Sequence, residues 1–496
     1  MELIQLNKNA ITEGIPHLPV PGYNREALKM GIVHVGVGGF HRAHQAYYVH
    51  QLMEEHNALD WGICGVGLRE ADRKMYDILK KQDGLYTLMI QHPDGSIKSE
   101  VIGSIKEVYL AVDTPGLVID QMAHADTKIV SLTITEGGYN FNPNTGDFNF
   151  ESEDVQWELK HPDQPKTIFG FLTLALQKRR AAGLPPFSVL SCDNIQHNGD
   201  VARKMLLAFA KEKDSDLAEW IADNVSFPNT MVDRITPVTT PEAITYLQTT
   251  YKLNDEWPVV CEPFIQWVVE DQFSNTRPPL EKVGVQFVPD VSPYEKMKIR
   301  LLNAGHSVLG IPGAIHGHPT IDICMKDPVF GIFMRRYMDH EVSPVLGTIE
   351  GMDVEKYKDT LEERFANPNL KDSVSRICSE SSAKLPKFLI PTLQENLATG
   401  GSIKYATLVL AAWCYYSDRE TNENGEPLEI IDAMKTKLHQ YAKNTQTDPT
   451  AFVKQREVFG DLLDNQRFVK EYTESIQLIY SGNGIRGLME QLMANR

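Results

Sequence analysis

The stretch Gly31-Ile-Val-His-Val-Gly-Val-Gly-Gly39 decides the fold of the first half of this chain. Its opening apolar run predicts a short buried strand, and Gly36-Val-Gly38-Gly39 predicts a tight turn. The spacing of apolar residues from Ala43 to His56 predicts a helix after that turn. A strand, a glycine turn and a helix in succession indicate the start of an α/β domain.

Strands and helices continue to alternate beyond this opening. Apolar runs predict further strands, and periodic patterns predict helices between them. The predicted strands are Trp61–Val66, Thr127–Thr133 and Phe187–Cys192, and the predicted helices are Phe169–Ala182 and Val201–Lys211. This alternation predicts a parallel sheet with helices on both faces.

The pattern changes near residue 289, where strand signals become rare. Long helical patterns then occur at Lys296–Leu309, Pro328–Asp339, Val354–Phe365, Tyr405–Ser417 and Ile430–Ala442. Because 496 residues are too many for one compact core, we expect at least two domains. We predict the α/β fold class, with a Rossmann-type N-terminal domain over residues 1–288 and a mostly α-helical C-terminal domain over residues 289–496.

Composition and charge argue against several kinds of partner and indicate the compartment of the protein. A net charge of −17 argues against nucleic acid or an anionic membrane as a partner. The start of the chain lacks the features of a signal peptide, and the longest apolar run, Tyr405 to Tyr416, is too short to span a bilayer. Six scattered cysteines without a C-x-x-C pair suit reduced thiols. We expect a cytoplasmic protein, and a monomer rather than a homo-oligomer.

The glycine turn carries the first functional signal. Gly36-x-Gly38-x-x-His41 begins like a dinucleotide fingerprint, with histidine in place of the third glycine. Gly36 would form the turn, and Gly38 would let the backbone approach a pyrophosphate. A plain glycine-rich turn between a strand and a helix is the alternative interpretation.

A second cofactor signal follows the second predicted strand, at Glu70 and Asp72. A carboxylate there could accept hydrogen bonds from the adenosine ribose and repel a 2′-phosphate, which favours NAD over NADP. The spacing from the glycine turn is longer than the usual ~20 residues. Arg69 and Arg73 could instead bind the phosphate of NADP, and a solvated helix start is a third interpretation.

Three further segments carry polar residues at candidate strand ends. Glu136, the pair Asp193-Asn194 and Asp233 stand where an open α/β sheet binds its ligands, beyond the carboxyl ends of its strands. For each segment alone, a turn or a helix cap is the commoner explanation, because Asp and Asn favour caps.

Lys298, Asn303 and His306 form another candidate site on a predicted helix. At about 100° per residue, Asn303 lies about 140° and His306 about 80° from Lys298. The set suits proton removal from an alcohol: the lysine accepts the proton, the amide donates to the oxyanion, and the imidazole holds a neighbouring hydroxyl. A helix with three polar residues on its solvated side is the plain alternative.

His316-Gly-His318, with Asp322 nearby, resembles half of a metal site. The segment lacks a third and a fourth ligand, and its setting among glycine and proline residues indicates a loop. We therefore expect no metal site in this protein.

Together these segments resemble the polyol-specific long-chain dehydrogenases. The motifs that carry the resemblance are Gly36-Val-Gly-Gly-Phe-His-Arg42-Ala-His44, Thr135-Glu136-Gly-Gly-Tyr139, Ser191-Cys-Asp193-Asn194, Met231-Val-Asp233-Arg234-Ile-Thr-Pro237 and Lys298-x4-Asn303-x2-His306. The segment Arg376 to Lys384 extends the similarity into the helical part. Each motif alone is weak, but the ordered set is specific. The glycine turn of that family also lacks the third glycine.

The resemblance implies a metal-independent, NAD(H)-dependent oxidoreductase whose active site lies in the cleft between its two domains. It implies Lys298 as the general base, Asn194 and Asn303 as the oxyanion hole, and His306 as a residue that positions the substrate. Glu295 would be an acidic residue beside the lysine that takes part in proton passage.

Further contacts are implied in the same way. The implied substrate contacts are Asp233, Arg376, Lys384 and Glu136, the last of which would also lie beside the lysine. The implied cofactor contacts are Gly36, Gly38, Gly39, Phe40, Arg42, Glu70 and Asp72.

The reaction that follows from the resemblance interconverts a polyol and a ketose, and D-mannitol and D-fructose are the expected pair. Another polyol such as arabinitol or sorbitol is an alternative, and so is a sugar-acid ketose such as fructuronate. An NAD-binding sensor without catalysis is a remoter alternative, and the intact set of Lys298, Asn303 and His306 argues against it.

Overall fold

A computed structural model describes residues 3–142 and 145–494. The chain divides into two compact units. The first contains most of the chain as far as Ser292, and the second contains Pro93–Gly95 and the chain from Pro293 onwards.

The first unit contains all the strands of the described residues. They are β1 (Ile4–Gln5), β2 (Ile32–Val35), β3 (Ile63–Gly67), β4 (Tyr86–Gln91), β5 (Ile97–Ile102), β6 (Ile105–Leu110), β7 (Ile129–Leu132), β8 (Ser188–Ser191), β9 (Thr230–Asp233), β10 (Leu253–Asn254), β11 (Val259–Cys261), β12 (Gln266–Glu270) and β13 (Gln286–Val288). Its helices are α1 (Lys8–Glu13), α2 (Gly39–Ala43), α3 (Gln45–His56), α4 (Arg73–Lys81), α5 (Pro115–Ala123), α6 (Thr135–Gly138), α7 (Glu153–Lys160), α8 (Ile168–Ala181), α9 (Asn198–Lys213), α10 (Ser215–Asn224) and α11 (Pro241–Tyr251).

A five-stranded parallel sheet organises the first unit. Its strands stand in the order β6-β3-β2-β7-β8, and every neighbouring pair is parallel. The order runs outward from β2 in both directions, so the chain switches sides between β2 and β7, where open α/β sheets bind their ligands. This arrangement confirms the predicted Rossmann-type fold.

Apolar side chains cover both faces of this sheet. Val33 and Val35 of β2 lie in one core with residues of α5, α8 and α9, and Ile32 lies in another core with residues of α3. Because successive side chains of a strand point to opposite faces, β2 is buried on both sides. The predicted parallel sheet with helices on both faces is therefore confirmed.

Two smaller sheets, of order β11-β4-β5 and β13-β12-β9, each contain one antiparallel pair. Of their strands, the sequence indicated only β9, through the candidate strand end at Asp233. Strand β5 contains Lys98, Ser99 and Glu100, so it lacks an apolar run, and β13 has only three residues. Pairing with a neighbouring strand, rather than local pattern, forms β5 and β13.

The second unit is helical, which confirms the predicted character of the C-terminal half. Its helices are α12 (Ser292–Lys298), α13 (Ala304–His316), α14 (Ile321–Lys326), α15 (Pro328–Tyr337), α16 (Ser343–Leu346), α17 (Val354–Phe365), α18 (Val374–Cys378), α19 (Ser381–Phe388), α20 (Ile390–Thr399), α21 (Lys404–Asp418), α22 (Lys435–Lys443), α23 (Arg456–Phe459), α24 (Gln466–Ile479) and α25 (Ile485–Ala494). Helix α21 is almost entirely buried and packs against α13, α22 and α24. In the described part of the chain, no helix has the length and apolar character needed to cross a membrane.

The prediction of one α-helix over Lys296–Leu309 is wrong. Helix α12 ends at Lys298, α13 begins at Ala304, and the residues Ile299–Asn303 between them form a π-turn. The Ala304 N–H donates to the Ile299 carbonyl, five residues back instead of four. Single π-turns inside α-helices are rare and occur frequently at functional sites.

Two other predicted helices have different limits. The helix predicted from Ala43 starts earlier, at Gly39, and breaks at His44, whose φ of −121° is not helical. The helix predicted over Ile430–Ala442 starts only at Lys435. There the Asp432 carboxylate accepts the backbone N–H groups of Ser382 and Met434, which holds the chain before α22 in a non-helical path.

Glu341 anchors the start of α21. Its carboxylate is fully buried in a second π-turn, Met338–Val342, and accepts the N–H groups of Tyr405 at 2.8 Å and Ala406 at 2.9 Å. The Ser402 hydroxyl donates to it at 3.1 Å. Burial raises the pKa of Glu341 from 4.5 to about 8.

We expect Glu341→Gln to change how stability depends on pH. The raised pKa stabilises the folded wild-type protein fully below pH 4.5, and this contribution is lost as the pH rises through about 8. Glutamine does not titrate, so the free energy of unfolding of the variant should rise relative to wild type between about pH 5 and pH 8. Thermal denaturation of both proteins across this range measures the difference. A difference independent of pH would show that the N–H groups of α21 keep Glu341 ionised.

Candidate functional site

The glycine turn lies at the carboxyl end of β2. Gly36 has a φ of 95°, and a Cβ atom there would lie 2.1 Å from the Thr133 carbonyl oxygen, so only glycine fits. At Gly38 and Gly39 the nearest atoms to a Cβ would be 3.9 Å and 3.7 Å away. The turn therefore leaves open space over these two residues, as the close approach of a pyrophosphate requires.

Arg42 and Phe40 support this turn. Arg42 is fully buried and donates to the carbonyl oxygens of Gly38 at 3.4 Å and Trp257 at 2.6 Å. Phe40 is half-buried and stacks on the His44 ring, with 5.0 Å between the ring centroids. The guanidinium of Arg42 thus fixes the backbone of the turn.

Glu70 and Asp72 follow β3 but differ in their surroundings. The Asp72 carboxylate accepts the Arg69 N–H at 2.9 Å. Exposed Glu70 pairs with Arg73, which also donates to Asp113 at 2.8 Å. Two carboxylates therefore share the Arg73 guanidinium, which weakens its attraction for a 2′-phosphate.

Asp193 joins the ends of β7 and β8. Its carboxylate accepts the N–H groups of Ile134 at 3.0 Å and Thr135 at 2.7 Å, and the Tyr139 hydroxyl at 2.8 Å. Burial raises the pKa of Asp193. These bonds hold the adjacent segments in place and leave the side chains of Glu136 and Asn194 exposed within this unit.

Buried Asn198 extends this connection to β9. Its side-chain amide donates to the carbonyl oxygens of Asp193 at 3.0 Å and Thr230 at 2.9 Å, and its Oδ1 accepts the Thr230 N–H at 2.9 Å. Asp233, 4% exposed, lies at the far end of β9. Asn198 was not singled out from the sequence, because nothing local reveals that its partner lies thirty-two residues away.

Arg234, the residue after Asp233, fastens this strand end to the helices that follow the glycine turn. Its guanidinium donates to the carbonyl oxygens of Ala43 at 2.6 Å and Glu262 at 3.1 Å. His44 Nε2 lies 2.8 Å from the Gln266 carbonyl oxygen on the neighbouring strand. The segment after the glycine turn and the end of β9 therefore share one framework of hydrogen bonds.

In the second unit the π-turn controls the relation of Lys298 to Asn303. Lys298 and Glu295, three residues apart on α12, are 6% and 5% exposed. Across the π-turn, Asn303 lies about one turn from Lys298, not at the predicted 140°. His306 follows three residues later on α13. The predicted angle is therefore wrong, and the structure brings the amine and the amide closer to one side of the helix.

A charge cluster fixes the rotation of this segment. The Glu395 carboxylate of α20 accepts hydrogen bonds from Lys296 at 2.9 Å and from Arg300 at 2.6 Å. These two cations lie four residues apart, on either side of the start of the π-turn. The hydrogen bond from Arg300 lowers the pKa of Glu395 to about 2, and Lys296 adds to that effect. Because this pair faces α20, Lys298 between them points another way.

The other predicted residues of this unit lie near His306 or α18. His306 packs on Phe365, with 4.3 Å between the ring centroids, and its Nε2 lies 3.8 Å from Asp372 Oδ2. Arg376 donates to the Asp372 carboxylate at 2.9 Å. Lys384 donates to the Ile377 carbonyl at 3.2 Å, and burial lowers the pKa of Lys384.

In the structure, Asp327 joins His316 and His318 as a third candidate metal ligand, which the sequence did not reveal. The side chains of His316, His318 and Asp327 offer ligand atoms within 4.8 Å of one another. Asp322 is instead bound to Thr320 and Lys326. The Asp327 carboxylate already accepts a hydrogen bond from the Arg486 guanidinium at 2.8 Å. A guanidinium on that carboxylate competes with a cation, and the absence of a metal site stays a prediction.

Comparison with known proteins follows the same division of the chain. Residues 30–282 match the mannitol dehydrogenase Rossmann domain, and residues 290–480 match the mannitol dehydrogenase C-terminal domain. Mannitol 2-dehydrogenase of Neosartorya fischeri is 46% identical over 473 residues, which are 94% of this chain and 90% of that protein.

Two solved structures resemble this one over nearly its whole length. The ternary complex of Pseudomonas fluorescens mannitol 2-dehydrogenase with NAD and D-mannitol has a TM-score of 0.88 and 43% identity, and the match covers 99% of this chain and 100% of that chain. A substrate-free D-sorbitol dehydrogenase has a TM-score of 0.90 and 36% identity, over 98% and 100% of the two chains. Since both parts of the chain match domains of one family, and a relative this similar spans almost all of it, the chain belongs to the mannitol dehydrogenase family.

Proposed function

We propose that this protein is an NAD-dependent, metal-independent oxidoreductase that interconverts D-mannitol and D-fructose. The observation that supports the proposal is that Lys298 is buried and that a π-turn separates it from Asn303 and His306. The names of the relatives support the substrate, and the NAD and D-mannitol held by the Pseudomonas fluorescens protein support both ligands. We further propose a cytoplasmic monomer, and six buried free thiols support a reducing compartment.

The glycine turn fits a dinucleotide. Gly36 makes the turn, and the open backbone at Gly38 and Gly39 gives room for the pyrophosphate, with Phe40 and Arg42 supporting it. Asp72 and Glu70 would meet the adenosine ribose. When bound, NAD supplies the nicotinamide ring that accepts a hydride from the substrate carbon.

Lys298 would accept the proton of the substrate hydroxyl. An amine can do so only when it is uncharged, and burial of Lys298 removes water that would stabilise the ammonium form. Glu295, one helical turn away, would take the proton onward. In ketose reduction the protonated lysine would act as the acid and return the proton to the alkoxide.

Amides and charged side chains would hold the substrate. Asn194 and Asn303 would each donate a hydrogen bond to the oxygen as it becomes an alkoxide, and one such donor is typically worth ~3 kcal/mol in a transition state. Asn303 Oδ1 is buried and has no hydrogen-bond partner among the described residues. The proposed contacts to the remaining hydroxyls are His306, Asp233, Arg376, Lys384 and Glu136.

D-Sorbitol is a second candidate substrate, because the likeness to D-sorbitol dehydrogenase is nearly as extensive. A steady-state screen of D-mannitol, D-sorbitol, arabinitol and fructuronate with NAD(H) and NADP(H) tests the proposal. We expect the highest kcat/KM with D-mannitol and NAD. Turnover of fructuronate without turnover of any polyol would refute the substrate class, and cofactor binding without turnover would identify a sensor.

Replacement of Lys298 should abolish the chemistry and spare the cofactor site. We expect Lys298→Ala to lower kcat by the ~10²–10⁴-fold typical of general acid–base catalysis, with the dissociation constant of NADH unchanged. The matched control is Lys435→Ala, which removes an exposed lysine at the start of α22. Near-normal turnover of Lys298→Ala would remove the lysine from the mechanism.

Cofactor choice should respond to the acidic pair after β3. In Glu70→Gln/Asp72→Asn, a 2′-phosphate no longer meets two carboxylates, and Arg73 loses one of its two anionic partners. The ratio of kcat/KM with NADP to that with NAD should therefore rise. Asp120→Asn, which removes an exposed carboxylate on α5, is the control. An unchanged ratio, or a wild-type protein that prefers NADP, would contradict the assignment.

A further inference from the structure

We propose that Asp372 is a positioning residue: its carboxylate holds the His306 imidazole and the Arg376 guanidinium in the orientation that binds the substrate hydroxyls. The inference rests on the proposed function, since it takes both residues as substrate contacts. Neither the sequence motifs nor the family resemblance pointed to Asp372.

Backbone hydrogen bonds hold the segment that contains Asp372. Its carbonyl accepts the Ile321 N–H at 3.0 Å. Two residues later, the Val374 N–H donates to the Pro319 carbonyl at 3.0 Å, and the residues between these bonds form an antiparallel bridge. The segment before α18 is therefore hydrogen-bonded to the segment before α14. The backbone that carries the Asp372 carboxylate is held in place by these bonds.

The two oxygens of the carboxylate face different partners. Oδ1 accepts Arg376 Nε at 2.9 Å. Oδ2 lies 3.8 Å from His306 Nε2 and has no hydrogen-bond partner among the described residues. Asp372 is 10% exposed, whereas Arg376 is 63% exposed, so the buried carboxylate is the fixed member of that pair. One anion thus orients two cationic or hydrogen-bond-donating groups at once.

The surroundings of His306 make this contact directional. Phe365 packs on the ring with a 32° angle between the ring planes, which limits rotation of the imidazole. A carboxylate beside Nε2 favours the tautomer with the proton on Nε2. Nδ1 then becomes the acceptor for a substrate O–H. The 3.8 Å separation needs to shorten by less than 1 Å to become a hydrogen bond, as catalytic contacts often do on substrate binding.

The test compares Asp372→Asn with Asp322→Asn. Asp322, 5% exposed, follows Ile321, whose N–H bonds to the Asp372 carbonyl, but the Asp322 carboxylate binds Thr320 and Lys326. We expect Asp372→Asn to raise KM for D-mannitol by roughly 10–100-fold, with a smaller loss of kcat and an unchanged dissociation constant for NADH. Asp372→Glu should recover part of the loss, and Asp322→Asn should keep the wild-type KM. A merely structural role would instead change NADH binding and thermal stability together in both Asn variants.

A second measurement does not depend on turnover. In protein with ¹⁵N-labelled histidine, the signals of His306 are assigned by their loss in His306→Gln, and their shifts report which ring nitrogen carries the proton. Asp372→Asn should move these shifts away from the Nε2-protonated form. Unchanged shifts together with an unchanged KM would overturn the proposal. Changed shifts in a protein that oxidises no polyol would refute the proposed function and leave the link between Asp372 and His306 standing.

Discussion

The hydrogen bond from the Ala304 N–H to the Ile299 carbonyl sets the geometry of the polar groups of the second unit. Because it spans five residues, Asn303 comes about one turn from Lys298, whereas an α-helix would set the two about 140° apart. Glu395 holds the same segment through two cations on its other side. If the turn relaxed to an α-helix, the amide would rotate away from the amine, and the two could no longer serve one hydroxyl group.

Buried polar groups perform the corresponding task in the first unit. Asp193 accepts three hydrogen bonds and Arg234 donates two, and together with Asn198 they connect the ends of strands that local sequence does not bring together. Leaving a buried polar group without its hydrogen bonds costs roughly 1–3 kcal/mol, so these connections resist disruption. Asn194 and Asp233 are therefore carried on a fixed backbone, which the proposed chemistry requires because a misplacement of about 1 Å can cost about 10²-fold in rate.

The sequence predicted the fold class well because its signals are local. The strand at Ile32–Val35 and the obligatory glycine at position 36 both follow from short-range pattern and sterics. The π-turn could not be predicted, because Ile299–Asn303 has the apolar spacing of an ordinary helix and only tertiary packing selects the longer hydrogen bond. The same limit applies to Asp327 and Asp372. Only the folded chain brings these two carboxylates close to the histidines beside them.

The proposed chemistry depends most on Lys298 as proton acceptor. Its most direct test is the oxidation of D-mannitol with NAD by Lys298→Ala in the presence of added primary amines. If the lysine is the base, NADH formation should increase with amine concentration, and more basic amines of equal size should be more effective, because the free amine takes the place of the missing side chain. Equal stimulation of wild type and variant, or residual turnover that no amine changes, would contradict the assignment of Lys298.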